Sequence, residues 1–228
     1  MNKYFCSGDK GFVATHLKKI MDFDGFDLKD GRDVSLLNIL TIKYEVVIHL
    51  SAHLSPIDDE DIKAHREVLS YCKKTGAYLV YASSAGIYHP TSLYAVQKLY
   101  GEVLFKDIPH TTLRFYNIYG EGGHGIVEQI KNKEHIKING NGEQTRDYIH
   151  VEDVCQAIKT AVETKMEGTF DVGTGTDYSV NDLIDLSEHN DWEFVSGDTG
   201  VLESVAKPDN IFPWISTKDV YHDYLRTA

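Results

Sequence analysis

Residues 3–17, "KYFCSGDKGFVATHL", pass from a short apolar run closed by glycine into apolar residues at helical spacing. Lys3–Gly8 reads as a strand with a tight turn, and Phe12, Val13, Leu17 and Ile20 recur as one side of a helix. Strand, turn and helix in that order open a βαβ unit. The pattern then repeats. "EVVIHLSA", "AYLVYASS" and "HTTLRFYNIYG" are β-branched or aromatic runs ending in small or polar residues. Between them stand the helix-like "DEDIKAHREVLSYCKKTG" and "SLYAVQKLYGEVLF".

Such alternation predicts an α/β fold, a Rossmann-type doubly wound parallel sheet with helices on both faces and its strand C-termini lining one crevice. Residues 1–120 are expected to form this core, and 121–228 mainly a small C-terminal substrate-binding lobe, with 145–175 returning to the core. "IVEQIKNK" reads as a short helix and "NGNGEQTRD" as a loop with hairpin chemistry. In "VEDVCQAIKTAVETK", Val154, Ala157, Ile158 and Ala161 fall on one helical face, and "GTFDVGTG" supplies one more strand. From about Asp191 onward the periodicity is too weak to assign elements.

At 228 residues the chain can bury one sizeable core. No run approaches the roughly 18 apolar residues of a membrane span, so no membrane partner is expected. A net charge of -12 argues against nucleic acid, which needs clustered Lys and Arg, and favours a small ligand met by a few placed cations. The opening residues carry no apolar export signal, and Cys6, Cys72 and Cys155 show no C-x-x-C spacing. Reduced thiols, a cytoplasmic location and no metal are the expectation.

Gly8, Gly11 and Ala14 stand at three-residue spacing where the first strand meets the first helix. That arrangement suits a dinucleotide pyrophosphate: the turn lets backbone N–H groups of Gly8, Gly11, Phe12 and Val13 approach it, and the third small residue lets the helix pack against the sheet. Asp9 is unfavourable there unless it points away or Lys10 offsets it. Asp27, near the distance expected for an acidic ribose ligand, favours NAD over NADP. Asp33 and Val34 are candidates for the adenine, and Leu50, Ser51 and Ala52, after the third strand, for the wall of the cofactor crevice.

Tyr94 and Lys98 lie four apart in "SLYAVQK", on one face of a helix. A phenol of pKa about 10 is a weak base at neutral pH, and a neighbouring ammonium together with a cofactor's positive nicotinamide favours the phenolate. Ser83 and Ser84, at the end of "VYASS", add hydroxyls beside that helix. Tyrosine, lysine and serine together form a proton-transfer set suited to oxidising an alcohol.

"SGDKGFVATHL", "VVIHLSA", "VYASSAGIY", "SLYAVQK", "LRFYNIYG", "NGNGEQTRDYIHVEDV" and "FDVGTGTDYSVNDLI" together resemble the extended short-chain dehydrogenase/reductase family, in particular its NAD-dependent nucleotide-sugar epimerases and dehydratases. The resemblance runs from residue 3 to about residue 186. It implies that Tyr94 is the catalytic base, that Lys98 holds the nicotinamide ribose and tunes the tyrosine, and that Ser84 contacts the reacting oxygen. It also implies substrate contacts by Asn117 and by Arg146, the latter to the nucleotide diphosphate; Lys207 is a further phosphate candidate. Ala85, Gly86 and Ile87 follow Ser84 where dehydratases of the family carry an acid, which favours epimerisation, most simply of a UDP-hexose at C4. The alternatives are a reductase or dehydratase of the same family, or a non-catalytic NAD-binding sensor. Only "HPTSL" separates Tyr88 from Tyr94, where the family carries a longer loop, so an open site, weaker specificity or help from a partner subunit is expected. Family members dimerise through the helix bearing the tyrosine, and Leu99, Val103 and Leu104 could serve a homodimer or pack on their own sheet.

Overall fold

The computed structural model describes residues 3–53, 59–197, 199–214 and 216–226. Strand β1 (Tyr4–Ser7) leads through the glycine turn into α1 (Phe12–Leu17), then β2 (Asp24–Phe26), β3 (Val46–His49), α2 (Glu60–Thr75), β4 (Tyr78–Ser84), α3 (Leu93–Phe105) and β5 (His110–Phe115). There follow β6 (Asn117–Tyr119), α4 (Ile126–Lys131), β7 (Ile136–Asn139), β8 (Thr145–His150), α5 (Val151–Thr164) and β9 (Gly168–Val172). The chain continues through β10 (Asp177–Ser179), α6 (Val180–Ser187), β11 (Trp192–Val195), β12 (Glu203–Ser204) and a π-helical turn at Val220–Leu225. Two compact units result: Met1–Arg114 with Cys155–Phe170, and Phe115–Val154 with Asp171–Ala228.

The first unit carries a six-stranded sheet in the order β2-β1-β3-β4-β5-β9, with β1 parallel to both β2 and β3 and β3 parallel to β4. This is the mostly parallel, helix-flanked Rossmann-like sheet that the alternating runs predict. All four residues of β3 are fully buried, a continuous apolar run ending in His49, because a central parallel strand is covered on both faces. The register sets three polar residues side by side across this sheet: Ser7 pairs with His49, and His49 with Tyr81. Phe5, Leu37, Val47, Val68, Leu79 and Phe105 pack into one core with Tyr81, and each such side chain contributes about 1.5–3 kcal/mol by leaving water.

The helices differ in detail from the spacing argument. In α1 the buried residues are Ala14, His16 and Leu17, whereas Phe12 and Val13 are half-buried. In α5 the expected face of Val154, Ala157, Ile158 and Ala161 is fully buried. Leu104 of α3 packs on the core, but Leu93, Val96, Leu99 and Val103 stay exposed along the same helix.

In the second unit β8 is the hub. It is parallel to β6 and β12 and antiparallel to β10. The hairpin expected at "NGNGEQTRD" does not form: β7 pairs instead in parallel with β11, with Ile136 opposite Trp192. The glycine turn therefore redirects the chain between two sheets. Asp147 of β8 is fully buried and accepts from Thr174 N and Oγ1 (both 2.8 Å), Gly175 N (2.9 Å) and Ala206 N (3.2 Å), which fastens two loops to the hub.

Candidate active site

The glycine turn is held by its own backbone. Gly8 N donates to Phe26 O (2.8 Å) and Gly11 N to Gly8 O (3.0 Å). Gly8 sits at φ +76°, and a Cβ there would lie 2.9 Å from Ser51 N, so the turn needs glycine both for its left-handed backbone and for the close approach of the chain after β3. Gly11 precedes the first residue of α1 in extended conformation, and no side chain caps that helix. Its first N–H groups are thus left to a ligand's oxygens.

Asp9 does not face those donors. Its side chain lies over Gly25, where a Cβ would collide with it, and Lys18 Nζ donates to its Oδ2 at 2.7 Å. Lys18, from the end of α1, supplies the neutralisation that the sequence offered to Lys10. Lys10 instead steadies a carboxylate: its N–H donates to Asp27 Oδ2 (3.0 Å), while Lys29 N donates to Asp27 Oδ1 (2.8 Å). Asp27 is thereby fixed, nearly buried, at the end of β2. Each of its oxygens keeps an acceptor site for a hydroxyl. Asp33 is exposed and accepts from Ser35 N (2.7 Å), whereas Val34 is buried in the core. Leu50, Ser51 and Ala52 are half-buried after β3. A glycine cradle, a displaced aspartate and an anchored carboxylate fit NAD.

Ser84, Tyr94 and Lys98 come together. Ser84 ends β4 and caps the short 3-10 turn Ala85–Tyr88, accepting from Gly86 N at 3.1 Å. Tyr94 enters α3 two residues after Ser92, whose hydroxyl accepts from Ala95 N (3.2 Å) and starts the helix. The Tyr94 phenol hydrogen-bonds Ser84. One turn on, Lys98 is buried; its Nζ donates to Ala82 O at 2.6 Å and lies 5.7 Å from the Tyr94 ring centre and 5.3 Å from that of Tyr81.

Burial pulls the Lys98 ammonium down to about 8, with Asp61 pushing the other way. The Tyr94 phenol is raised by burial above its ordinary value; the Ser84 bond lowers it and Asp61 raises it further. The same enclosure that brings the pair together disfavours both charged forms, so the phenolate calls on the positive nicotinamide as well as on Lys98.

Two groups of residues around this set escaped the sequence reading. Asp61, buried on α2, accepts from His53 N (3.0 Å) and lies 2.9 Å from His53 Nδ1. Glu102, one turn beyond Lys98, takes the Arg114 guanidinium in a two-pronged pair (3.0 and 2.8 Å) and accepts from Ser83 Oγ at 2.5 Å. Arg114 Nη1 donates to Tyr88 Oη at 2.9 Å, so this network anchors the 3-10 turn beside Ser84. Glu102 was in principle findable as Lys98 plus four; Asp61 has no local signal.

Besides Ser84, the substrate candidates belong to the second unit. Asn117 is exposed at the start of β6, opposite Tyr148. Arg146, on β8 opposite Tyr178 and Ser204, is half-buried and donates to Thr145 O (2.7 Å) and Thr199 O (3.0 Å) rather than to Asp147. Lys207 is exposed, and its carbonyl accepts from Asn210 N.

Among proteins of known sequence, a Methanocaldococcus jannaschii protein bearing the provisional name UDP-glucose 4-epimerase is 32% identical over 202 residues, covering 70% of this chain and 66% of its own. An uncharacterized UDP-glucose epimerase of Bacillus subtilis is 28% identical over 183 residues, covering 63% of this chain. The alignments thus span 66% and 58% of those relatives' lengths. Solved structures share the fold. A dTDP-glucose 4,6-dehydratase from Bacillus anthracis in complex with NAD superposes with TM-score 0.85 at 16% identity, covering 100% of this chain and 95% of that one. A UDP-N-acetylglucosamine 4-epimerase from Methanobrevibacter ruminantium, in complex with UDP-N-acetylmuramic acid, gives 0.82 at 19%, covering 99% and 96%. Residues 9–173, from the glycine turn to the loop after β9, match the NAD dependent epimerase/dehydratase family, and the chain belongs to that family.

Proposed function

We propose that the protein is a nucleotide-sugar epimerase, acting on a UDP-hexose at C4 through a transient keto-sugar. The observation that carries the reading is the Ser84–Tyr94–Lys98 cluster, followed by Ala85 and Ile87, both buried and apolar, with no acid among the three residues after Ser84. Tyr94 takes the sugar hydroxyl proton at its Oη and returns it. Ser84, already bonded to that phenol, orients the reacting oxygen. Lys98 holds positive charge beside the ring, and with Asp27 and the Gly8–Gly11 turn it would hold NAD. When bound, NAD would supply a reversible hydride acceptor for the sugar carbon, so that oxidation and re-reduction on the other face would leave no net oxidation.

Arg146 has donors beyond the two it spends on carbonyls, and we assign it to the nucleotide diphosphate, with Asn117 and Lys207 as further substrate contacts. We further propose a homodimer formed through the exposed α3 stripe of Leu93, Val96, Leu99 and Val103, and a cytoplasmic location, which suits the three buried free thiols.

The test is incubation with NAD and a panel of UDP-, GDP- and dTDP-hexoses, following interconversion by chromatography. Epimer without net NADH is expected, and Tyr94→Phe should abolish it while NAD still binds. A keto-deoxy product would instead establish a dehydratase, net NADPH-dependent reduction a reductase, and NAD binding with no sugar converted a sensor.

A further inference from the structure

Three residues in register across the central strands, Ser7 on β1, His49 on β3 and Tyr81 on β4, share one face of the sheet, since directly opposed residues of parallel strands point the same way. All three are fully buried, and so is His65 of α2, which packs over them. Their polar atoms join end to end. Ser51 Oγ lies 3.1 Å from Ser7 Oγ, Ser7 Oγ 2.6 Å from His49 Nδ1, and His49 Nε2 2.8 Å from His65 Nδ1. Tyr81 Oη lies 3.3 Å from His65 Nε2 and 3.1 Å from the main-chain oxygen of Lys98.

Donor arithmetic fixes the direction. A carbonyl cannot donate, so Tyr81 gives its only proton to Lys98 O and accepts from His65, whose Nε2 must carry the hydrogen. With both rings neutral, His65 Nδ1 is bare, His49 Nε2 carries its hydrogen, and His49 Nδ1 accepts from Ser7. Every link then points from the glycine-turn end toward α3. Burial keeps both imidazoles neutral: His65 is pulled down to about 3 and His49 well below its ordinary range.

The far end is shaped for this contact. Gly101 stands inside α3, where glycine costs about 1 kcal/mol relative to alanine, and a Cβ there would collide with Tyr81 Oη. The missing side chain makes room for the phenol to reach the helix backbone. The chain ends on a carbonyl, which cannot take up a proton, so it is not a path for proton export.

We infer that Ser7, His49, His65 and Tyr81 are positioning residues: a one-way hydrogen-bond chain that holds Lys98 by its own carbonyl and ties the lysine helix to the strand ends beside the glycine turn. The inference rests on the role given to Lys98 above. It requires only that the lysine's setting matter, not that the substrate be a UDP-hexose.

Tyr81→Phe isolates the link, because the ring beneath the Lys98 ammonium remains and only the hydroxyl goes. In wild-type protein, two-bond 1H–15N correlation of the histidine rings should find both His49 and His65 protonated on Nε2 alone. The Lys98 15Nζ signal, followed against pH without any substrate, should titrate near 8. In Tyr81→Phe that midpoint should rise by about one pH unit as the ammonium loosens toward water. Turnover should fall about tenfold, with KM and NAD affinity nearly unchanged. A hydrogen on Nδ1 of either ring overturns the inference, and this measurement needs no variant to fold. An unmoved Lys98 midpoint in folded Tyr81→Phe overturns it as well. If the midpoint moves while wild-type protein converts no sugar nucleotide, the positioning chain stands and the epimerase reading falls.

Discussion

Acidification should unfasten the first unit, and the size of the effect follows from two side chains. His49 and His65 are neutral in the fold, His65 with its pKa near 3, whereas in the unfolded chain each titrates near 6.5. A histidine whose folded pKa is depressed contributes stability that is complete above 6.5 and is lost as pH falls toward the folded value, because the unfolded chain binds the proton first. Each costs up to about 1.4 kcal/mol per pH unit in that window. Between pH 7 and pH 5 the two together remove about 4 kcal/mol, a large part of the 5–15 kcal/mol that usually holds a domain. Surface His135, raised by Asp191 and Glu193, acts in the opposite sense but belongs to the second unit. Both tryptophans, Trp192 and Trp214, also belong there, so fluorescence would miss the event. Amide hydrogen exchange of β3 and β4 reports it directly. The expected result is a fall of about 4 kcal/mol in their opening free energy, with the slope halved in His65→Gln. A slope of zero, or one unchanged by that substitution, would refute neutral burial of the pair.

Three further outcomes are expected. Gly8→Ala forces a side chain into φ +76° and against Ser51 N, so NAD affinity by calorimetry should drop at least about tenfold with the far-UV spectrum retained. Lys18→Met leaves Asp9 without its ion pair beside the glycine turn; NAD should bind about three- to tenfold more weakly, and the loss should vanish in an Asp9→Asn background if charge is the cause. Asp147→Ala strands the donors of Thr174, Gly175 and Ala206, and urea unfolding followed by tryptophan fluorescence should show the second unit weaker by about 3 kcal/mol or more.

How much could be read beforehand depended on whether the cause was local. Parallel strands covered on both faces must be continuous apolar runs, and β3 and β4 announce themselves for that reason. The face of α5 was equally plain, since its four small and branched residues recur at 3.6-residue spacing. By contrast β11 and β12 hold four and two residues, exposed or half-buried, and exist because β7 and β8 offer edges to pair with. Nothing within such segments carries a period. The "NGNG" turn misled because its chemistry specifies a reversal of the chain, not the partner of the strand that enters it.

The site divides the same way. Tyr94 and Lys98 are visible because four residues of helix put them on one face, and Gly8 because its backbone is unusual; their charge states are not, because those are set by what the fold brings from elsewhere. Asp61, on another helix, raises both groups, which helps the ammonium and opposes the phenolate. The Ser84 bond lowers the phenol alone, and so favours the phenolate. Burial pushes Tyr94 up and Lys98 down, so the resting balance leaves the proton on the tyrosine. A further positive charge beside the phenol shifts that balance toward the phenolate, whereas one beside the ammonium lowers Lys98 still more. The pair is therefore competent as a base only when added charge arrives on the tyrosine side, and holding Lys98 in place through its own backbone keeps those two sides distinct.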